Sequence, residues 1–241
     1  MRYLKTDFIG MVGDGRLRNR HDRKIVAGGG TQAARIGLRI MREEMQAGHP
    51  EALLLNCGGP ELPGAGQFPL LYTCEDTGNT GYVGWEHMRR NYGSNLAGHL
   101  FKQGRWGVIQ PSCLCVGLPG TIEEARVRAT ATFLSGGQVD IGDDLTVLPE
   151  DRWQVLLATL PPLGKPARPV DLFEEISVAS LDYEGMCRGQ GGDDVAVAQP
   201  EGSRIWHLPV EAQWDRWDLV ALFDFDLPTV GPEARFPPIT R

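Results

Sequence analysis

Short apolar runs alternate with glycine-rich or acidic loops and with amphipathic stretches over the first two thirds of the chain. Residues 2–9 predict a strand: Tyr3, Leu4, Phe8 and Ile9 are apolar or aromatic, and Gly10 stops the run. A polar loop ends in Gly28-Gly29-Gly30, and Thr31 predicts the cap of a helix that runs to about Ala47. Ala34, Ile36, Leu38, Ile40, Met41 and Met45 supply its apolar positions, and Gly48 its stop. Residues 52–57 are apolar without alternation, the pattern of a parallel strand buried on both faces, and Gly58-Gly59-Pro60 closes them. Residues 68–73 predict a third strand and residues 106–110 a fourth, closed by Pro111; a helical stretch over 82–100 lies between them. Thr121 predicts a helix to Leu134, with Glu123 and Glu124 in the first turn, where the helix dipole favours carboxylates. Residues 138–141 predict a fifth strand and residues 149–160 a last helix, ended by Pro161-Pro162.

Strand, loop and helix thus repeat, and the polar or glycine-rich loops follow the strands. That order predicts a parallel α/β arrangement whose chemistry sits at the carboxyl ends of the strands. After Pro166 the pattern changes. Residues 170–172, 176–181, 195–198, 204–210 and 219–225 form short β-rich runs between Gly, Pro and Asp turns, which predicts an antiparallel β domain. The expected division is residues 1–165 and residues 166–241, with the boundary near 163–168. The α/β part offers only about five strand–helix units where a closed barrel needs eight.

Composition narrows the function classes. The chain has 241 residues, 41% hydrophobic and 23% charged, an ordinary globular balance. Its 24 Lys and Arg against 31 Asp and Glu give a net charge of −7, which argues against a nucleic-acid partner. No long uncharged apolar run predicts a membrane span, and the charges at Arg2, Lys5 and Asp7 exclude a signal peptide at this terminus. Cys57, Cys74, Cys113, Cys115 and Cys187 are odd in number and irregular in spacing, so small buried hydrophobes are expected. Cys113 and Cys115 lack zinc-pair spacing, and His21, His49, His87, His99 and His207 show no ligand spacing, so no metal or other cofactor is expected. The glycines at 28–30 precede no Gly-Lys-Ser/Thr, which leaves a flexible loop rather than a phosphate cradle. Trp206, Trp214 and Trp217 are expected to pack in the core or an interface of the β domain.

Four strand ends carry candidate chemistry. Lys5 and Asp7 alternate onto one face, so the ammonium would favour the ionised carboxylate; an exposed ion pair is the plain alternative. Cys57 and Gly58 combine a thiol with bare backbone; a tight turn around a packed cysteine is the plain alternative, and no histidine nearby in sequence activates the thiol. Glu75 and Asp76, just past Tyr72, offer a general acid or base, or a helix cap. Asp140, Asp143 and Asp144 form an acidic loop suited to a metal or to a solvated turn.

Taken together, these ends resemble the clan D glycoside hydrolases, the α-galactosidase and melibiase-like families. Leu4-Lys5-Thr6-Asp7-Phe8 resembles the K-x-D of their fourth barrel strand, and Cys57-Gly58-Gly59-Pro60 the C-G-x-P turn of the fifth, with Gly66 fitting later. Asp76 matches the aspartate after the sixth strand, with Glu75 its rival. Leu134-Ser135-Gly136-Gly137 and Gly142-Asp143-Asp144-Leu145 resemble the eighth-strand region, and residues 160–173 the exit into a β domain. The sequence departs from the pattern at two places. Tyr72 stands where the family has an Arg before the acid/base, and Gln110-Pro111-Ser112 keeps only the proline of D-P-D.

The resemblance implies the second half of a (β/α)8 TIM-like barrel, about strands 4 to 8, followed by an antiparallel all-β C-terminal domain. It implies a retaining α-glycosidase acting on α-galactoside-like carbohydrate by double displacement. Asp7 would be the nucleophile and Asp76 the acid/base; Lys5, Cys57, Gly58, Tyr72 and Glu75 would contact substrate. The chain would then begin within the catalytic domain. Its site is half open without the first three strands, and turnover depends on what completes it. Two alternatives stay open. One is a carbohydrate-binding homologue that keeps the fold and has lost catalysis; the other is an unrelated metal hydrolase using Asp140, Asp143 and Asp144.

Overall fold

The computed structural model describes residues 2–7, 9, 29–59, 61–77, 88–173 and 202–225. Four parallel strands, β1 (Tyr3–Thr6), β2 (Leu53–Asn56), β3 (Leu70–Tyr72) and β4 (Val108–Gln110), form one sheet in sequence order. The register sets Thr6 beside Asn56, Asn56 beside Leu71 and Tyr72 beside Gln110, so the four carboxyl ends lie nearly level. β2 buries Leu54 and Leu55, whose side chains alternate to opposite faces, whereas Leu53 at its start is exposed, so the unbroken apolar run is buried only in part.

Helix α1 (Gly29–Gly48) packs Leu38, with Met41 and Met45 beside it, against Leu54 and Phe68. Ala34, Leu38, Met41 and Met45 follow the helical period, whereas Ile40 falls off that face and is exposed. The helix starts two residues before Thr31, which therefore lies inside it and does not cap it. Arg35 and Arg42 reach from α1 to the carbonyls of Pro63, Ala65 and Gly66, which pins the turn after the short α2 (Glu61–Gly64).

The stretch expected as one helix over 82–100 is described from residue 88. It is a π-helical run, Arg89–Leu96, then α3 (Ala97–His99) and a 3-10 turn, Leu100–Lys102. Met88, Tyr92, Leu96 and Leu100 from this run are buried together with Ile109, Leu134, Trp206, Leu208, Phe223 and Phe225. One apolar cluster therefore spans the α/β layers and the C-terminal strands.

The fourth strand starts two residues later than expected, and a further short strand follows it. β4 ends at Gln110, Pro111 and Ser112 follow, and β5 (Cys113–Leu114) resumes and pairs in parallel with β6 (Asp140–Ile141). Pro111 has no amide proton to give a ladder, and Ser112 stands at φ +71°, which interrupts extended backbone. The parallel strands thus fall into a four-stranded and a two-stranded sheet, bridged by Gln138 N–H donating to the Ile109 carbonyl at 2.8 Å. A closed barrel is not present among the described residues.

Helix α4 (Ile122–Ser135) has the cap its sequence announces. The Glu124 amide donates to Thr121 Oγ1 at 3.2 Å, and the Thr121 amide donates to Glu124 Oε2 at 2.8 Å. Helix α5 (Glu150–Leu157) packs Leu156 against Leu114, Val116, Ala125 and Ala129. Buried Arg152 from α5 donates to the carbonyls of Val116, Gly120 and Thr121 and so fastens the loop that enters α4. No helix among the described residues is long and apolar enough to cross a membrane.

The C-terminal part is an antiparallel three-stranded sheet, β7 (Arg168–Pro169), β8 (Ile205–Glu211) and β9 (Arg216–Leu222). A strand expected over 170–172 is instead the two-residue β7, since Asp171 turns away to accept from Arg204 and Ile205 amides. The strands expected over 176–181 and 195–198 lie outside the described residues. Trp206 is fully buried, as expected, but Trp214 is 79% exposed.

Two substitutions probe this frame. Thr121→Ala removes the α4 cap and is expected to cost about 1 kcal/mol in urea unfolding, against a near-neutral Thr130→Ala on the exposed side of the same helix. Gly137→Ala would drive a Cβ into the Ile109 carbonyl, and a loss of about 1–3 kcal/mol is expected.

Candidate functional site

Three strand ends and one loop meet at the carboxyl edge of the main sheet. Asp7 follows β1, Cys57 follows β2, Tyr72 ends β3 and Asp76 lies in the loop after it. The parallel ladder continues one step past β2, where the Cys57 amide donates to the Thr6 carbonyl at 3.0 Å, and this seats Cys57 beside Asp7. The Cys57 thiol hydrogen-bonds the Asp7 side chain. Burial pushes that thiol up to about 11; Lys5 opposes the rise, while Asp7 and Asp76 add to it. Both carboxylates and the ammonium thus act on one sulfur. A protonated thiol in this setting orients Asp7 and is no nucleophile at neutral pH.

Lys5 leans across to β3. Its Nζ stands 4.3 Å from the centre of the Tyr72 ring, a cation–π contact at the mouth of the site. Tyr72 donates its phenol to Asp76 Oδ1 at 2.7 Å. Ser112 Oγ lies 2.5 Å from the same phenol oxygen. A phenol has one proton, already given to Asp76, so Ser112 donates this second bond. The Thr77 amide in turn donates to Ser112 Oγ at 3.0 Å, and the Thr77 hydroxyl bonds the Cys113 carbonyl. Burial above all raises the Tyr72 phenol well beyond its ordinary range, so it stays protonated and a donor.

Glu75 and Asp76 separate in role. The Glu75 backbone is held by Asn91, whose Oδ1 accepts from the Glu75 amide at 2.9 Å. The field of Glu75 acts on Cys74, while that of Asp76 acts on Cys57, Tyr72 and Cys113. Asp76 thus shares the surroundings of the Cys57 thiol with Lys5 and Asp7.

The bare backbone at Gly58 and Gly59 has a structural use. Gly58 is at φ +61°, and a Cβ at Gly59 would overlap Asn56 Oδ1. Gly58, Gly59, Asn56, Tyr72, Lys102 and Trp106 line a cavity of about 160 Å³. Buried Lys102 pairs there with Glu61 and lies near the rings of Phe101 and Trp106.

The acidic loop does not converge. Asp140 accepts from the Gln110 and Gln138 amides, Asp143 from the Val116 and Gly117 backbone, and Asp144 from Thr146. No group of three metal-ligating side chains forms among the described residues. His99 is partly buried against the Thr73 carbonyl, with Nδ1 at 3.0 Å, and burial lowers its pKa. The described cysteines are free thiols; Cys187, His21 and His87 lie outside the described residues.

Ser112 and Thr77 are the site residues that sequence reasoning missed. The available signal was Pro111, which marks a break in a strand, but nothing in the sequence showed that the residue after it would turn left-handed and aim its hydroxyl at Tyr72.

No family model matches the sequence, and no curated protein matches it. Among solved structures, an α-galactosidase from Thermus thermophilus in complex with stachyose is similar over 66% of this chain and 34% of that one, at 18% identity and a TM-score of 0.43. The same enzyme with p-nitrophenyl α-D-galactopyranoside aligns over 57% and 30%, again at 18% identity and TM-score 0.43. The chain spans about a third of the length of that enzyme.

The buried thiols give a pH signature. The folded pKa of Cys57 lies above its ordinary value, so its contribution to stability is complete below about pH 9 and is lost as pH rises toward 11. Cys115, also pushed up to about 11 by burial, acts in the same sense. Urea midpoints are expected to fall between pH 9 and 11, and Cys57→Ala is expected to flatten that fall.

Proposed function

We propose that the chain carries the catalytic edge of a retaining α-glycosidase acting on α-galactoside-like sugars. The observation that supports this most directly is that Asp7 and Asp76, which follow the two strands flanking β2, both act on the Cys57 thiol at the end of β2. In a retaining pair, which works by direct displacement, the two carboxyl groups stand about 5–5.5 Å apart, and an inverting pair is wider. The K-x-D and C-G-x-P resemblances point to the same residues in the same roles.

The reaction would run in two displacements. The Asp7 carboxylate attacks the anomeric carbon as the bond to the glycosidic oxygen breaks, and that oxygen takes the proton of Asp76. A glycosyl ester of Asp7 results. Asp76, now ionised, takes a proton from water; the hydroxide oxygen attacks the anomeric carbon and releases Asp7. Tyr72, bonded to Asp76 Oδ1, would fix the plane of the acid/base. Lys5 would hold the negative charge of Asp7 and bind sugar hydroxyls. Cys57 would orient Asp7, and Gly58 lets the turn pass beneath them.

A second reading has its own observation. Gln110 and Ser112, which replace the acidic positions of the family pattern, are turned inward. Gln110 bonds Asp140, and Ser112 bonds Tyr72 and Thr77. Groups committed to protein partners in this way suit a homologue that binds sugar without cleaving it.

Aryl α-glycosides assayed on the longest open reading frame that holds the chain separate the two. Turnover of an aryl α-galactoside is expected. Asp7→Ala should abolish it. Asp76→Ala should lower kcat by about 10²–10⁴ on substrates whose leaving group needs a proton, and far less on activated ones. Turnover that survives both substitutions counts against these roles; binding without any turnover favours the second reading.

A further inference from the structure

The turn between β8 and β9 holds two indoles where a soluble protein rarely leaves them. Trp214 is 79% exposed and Trp217 37% exposed, their ring centres are 5.2 Å apart, and their planes are inclined by 24°. The turn is closed by the Ala212 amide donating to the Asp215 carbonyl at 2.9 Å, and Trp217 sits across from Val210. Trp217 thus backs Trp214 and holds its outer face ready, so little rotamer freedom is left to lose on binding.

The pair continues into a groove. Trp217, Leu219 and Ala221 alternate onto one face of β9, and the groove of about 500 Å³ between β9 and helices α4 and α5 is lined by Leu219 and Ala221. Successive side chains on that face are about 7 Å apart, so the indoles lie at the groove's end. Phe133 and Val155 give it apolar walls, and Arg126, Asp151 and Gln154 give it hydrogen-bonding groups.

The charges around this surface fix the class of ligand. Arg126 and Asp151 both line the groove, and Asp215, Arg216 and Asp218 mix signs near the indoles in the chain. A stacking platform for nucleic acid is paired with a positive groove, and none is present among these residues. An uncharged ligand with a flat apolar face and a rim of hydroxyls fits an indole platform beside polar groups. We propose that Trp214 and the β9 groove form a binding surface for a neutral pyranose chain, remote from Asp7 and Asp76 and independent of whether those residues catalyse anything.

Native electrophoresis through gels containing galactomannan, xyloglucan or amylopectin tests this on the full chain. Retardation is expected in at least one neutral gel. Trp214→Ala should weaken the apparent affinity about tenfold or more, Trp214→Phe should keep most of it, and Asp7→Asn should keep all of it. Loss of retardation in Asp7→Asn instead locates the binding at the strand ends and overturns the proposal, as does full retention in Trp214→Ala. Unretarded migration in every neutral gel overturns it too. So does a change in size-exclusion volume on Trp214→Ala without retardation, which would make the indoles a self-association contact.

Discussion

The carboxyl edge of the sheet is organised by one residue with no charge. Ser112 follows a proline that cannot feed the ladder, and its positive φ swings the chain off the strand direction. The hydroxyl then takes the Thr77 amide and meets the Tyr72 phenol. Through this single oxygen the end of the fourth strand fixes the loop after the third. Asp76 stands in that loop, held from one side by Tyr72. A non-glycine residue in the left-handed region is strained, and the buried hydrogen bonds around Ser112 offset the cost.

The site is therefore layered by proton ownership. Ser112 gives to Tyr72, Tyr72 gives to Asp76, and the Cys57 thiol bonds Asp7. Burial keeps the phenol and the thiol protonated, so each remains a donor across the neutral range. Lys5 is the cation of the group, and it rests on the Tyr72 ring. Tyr72 and Ser112, two of the three residues at which the sequence departs from the pattern it resembles, are bonded to each other.

Much of this was legible in the residues. The apolar run of β2 announced burial on both faces, which holds for Leu54 and Leu55 though not for Leu53, and Thr121 with Glu124 announced a helix start with a mechanism. Lys5, Asp7, Cys57, Tyr72 and Asp76 were legible as strand-end chemistry, because period-two alternation and loop position are local properties. What stayed hidden was non-local. Cys113–Leu114 is too short a strand to leave a pattern, and the turn at Ser112 depends on partners 35 and 40 residues away. The exposure of Trp214 was unreadable for a related reason, since an indole in a β-rich run looks the same whether it faces a core or a turn.

Among the described residues the sheet order leaves β1 at the rim, with Tyr3 exposed and the strand's outer backbone facing away from β2. Rim strands of this kind invite other chains to add to them, and a lysine on such a strand is a common deterrent. Lys5 so placed has a colloidal consequence apart from any chemistry: neutralising it would remove both the cation that rests on Tyr72 and a guard against stacking of molecules rim to rim.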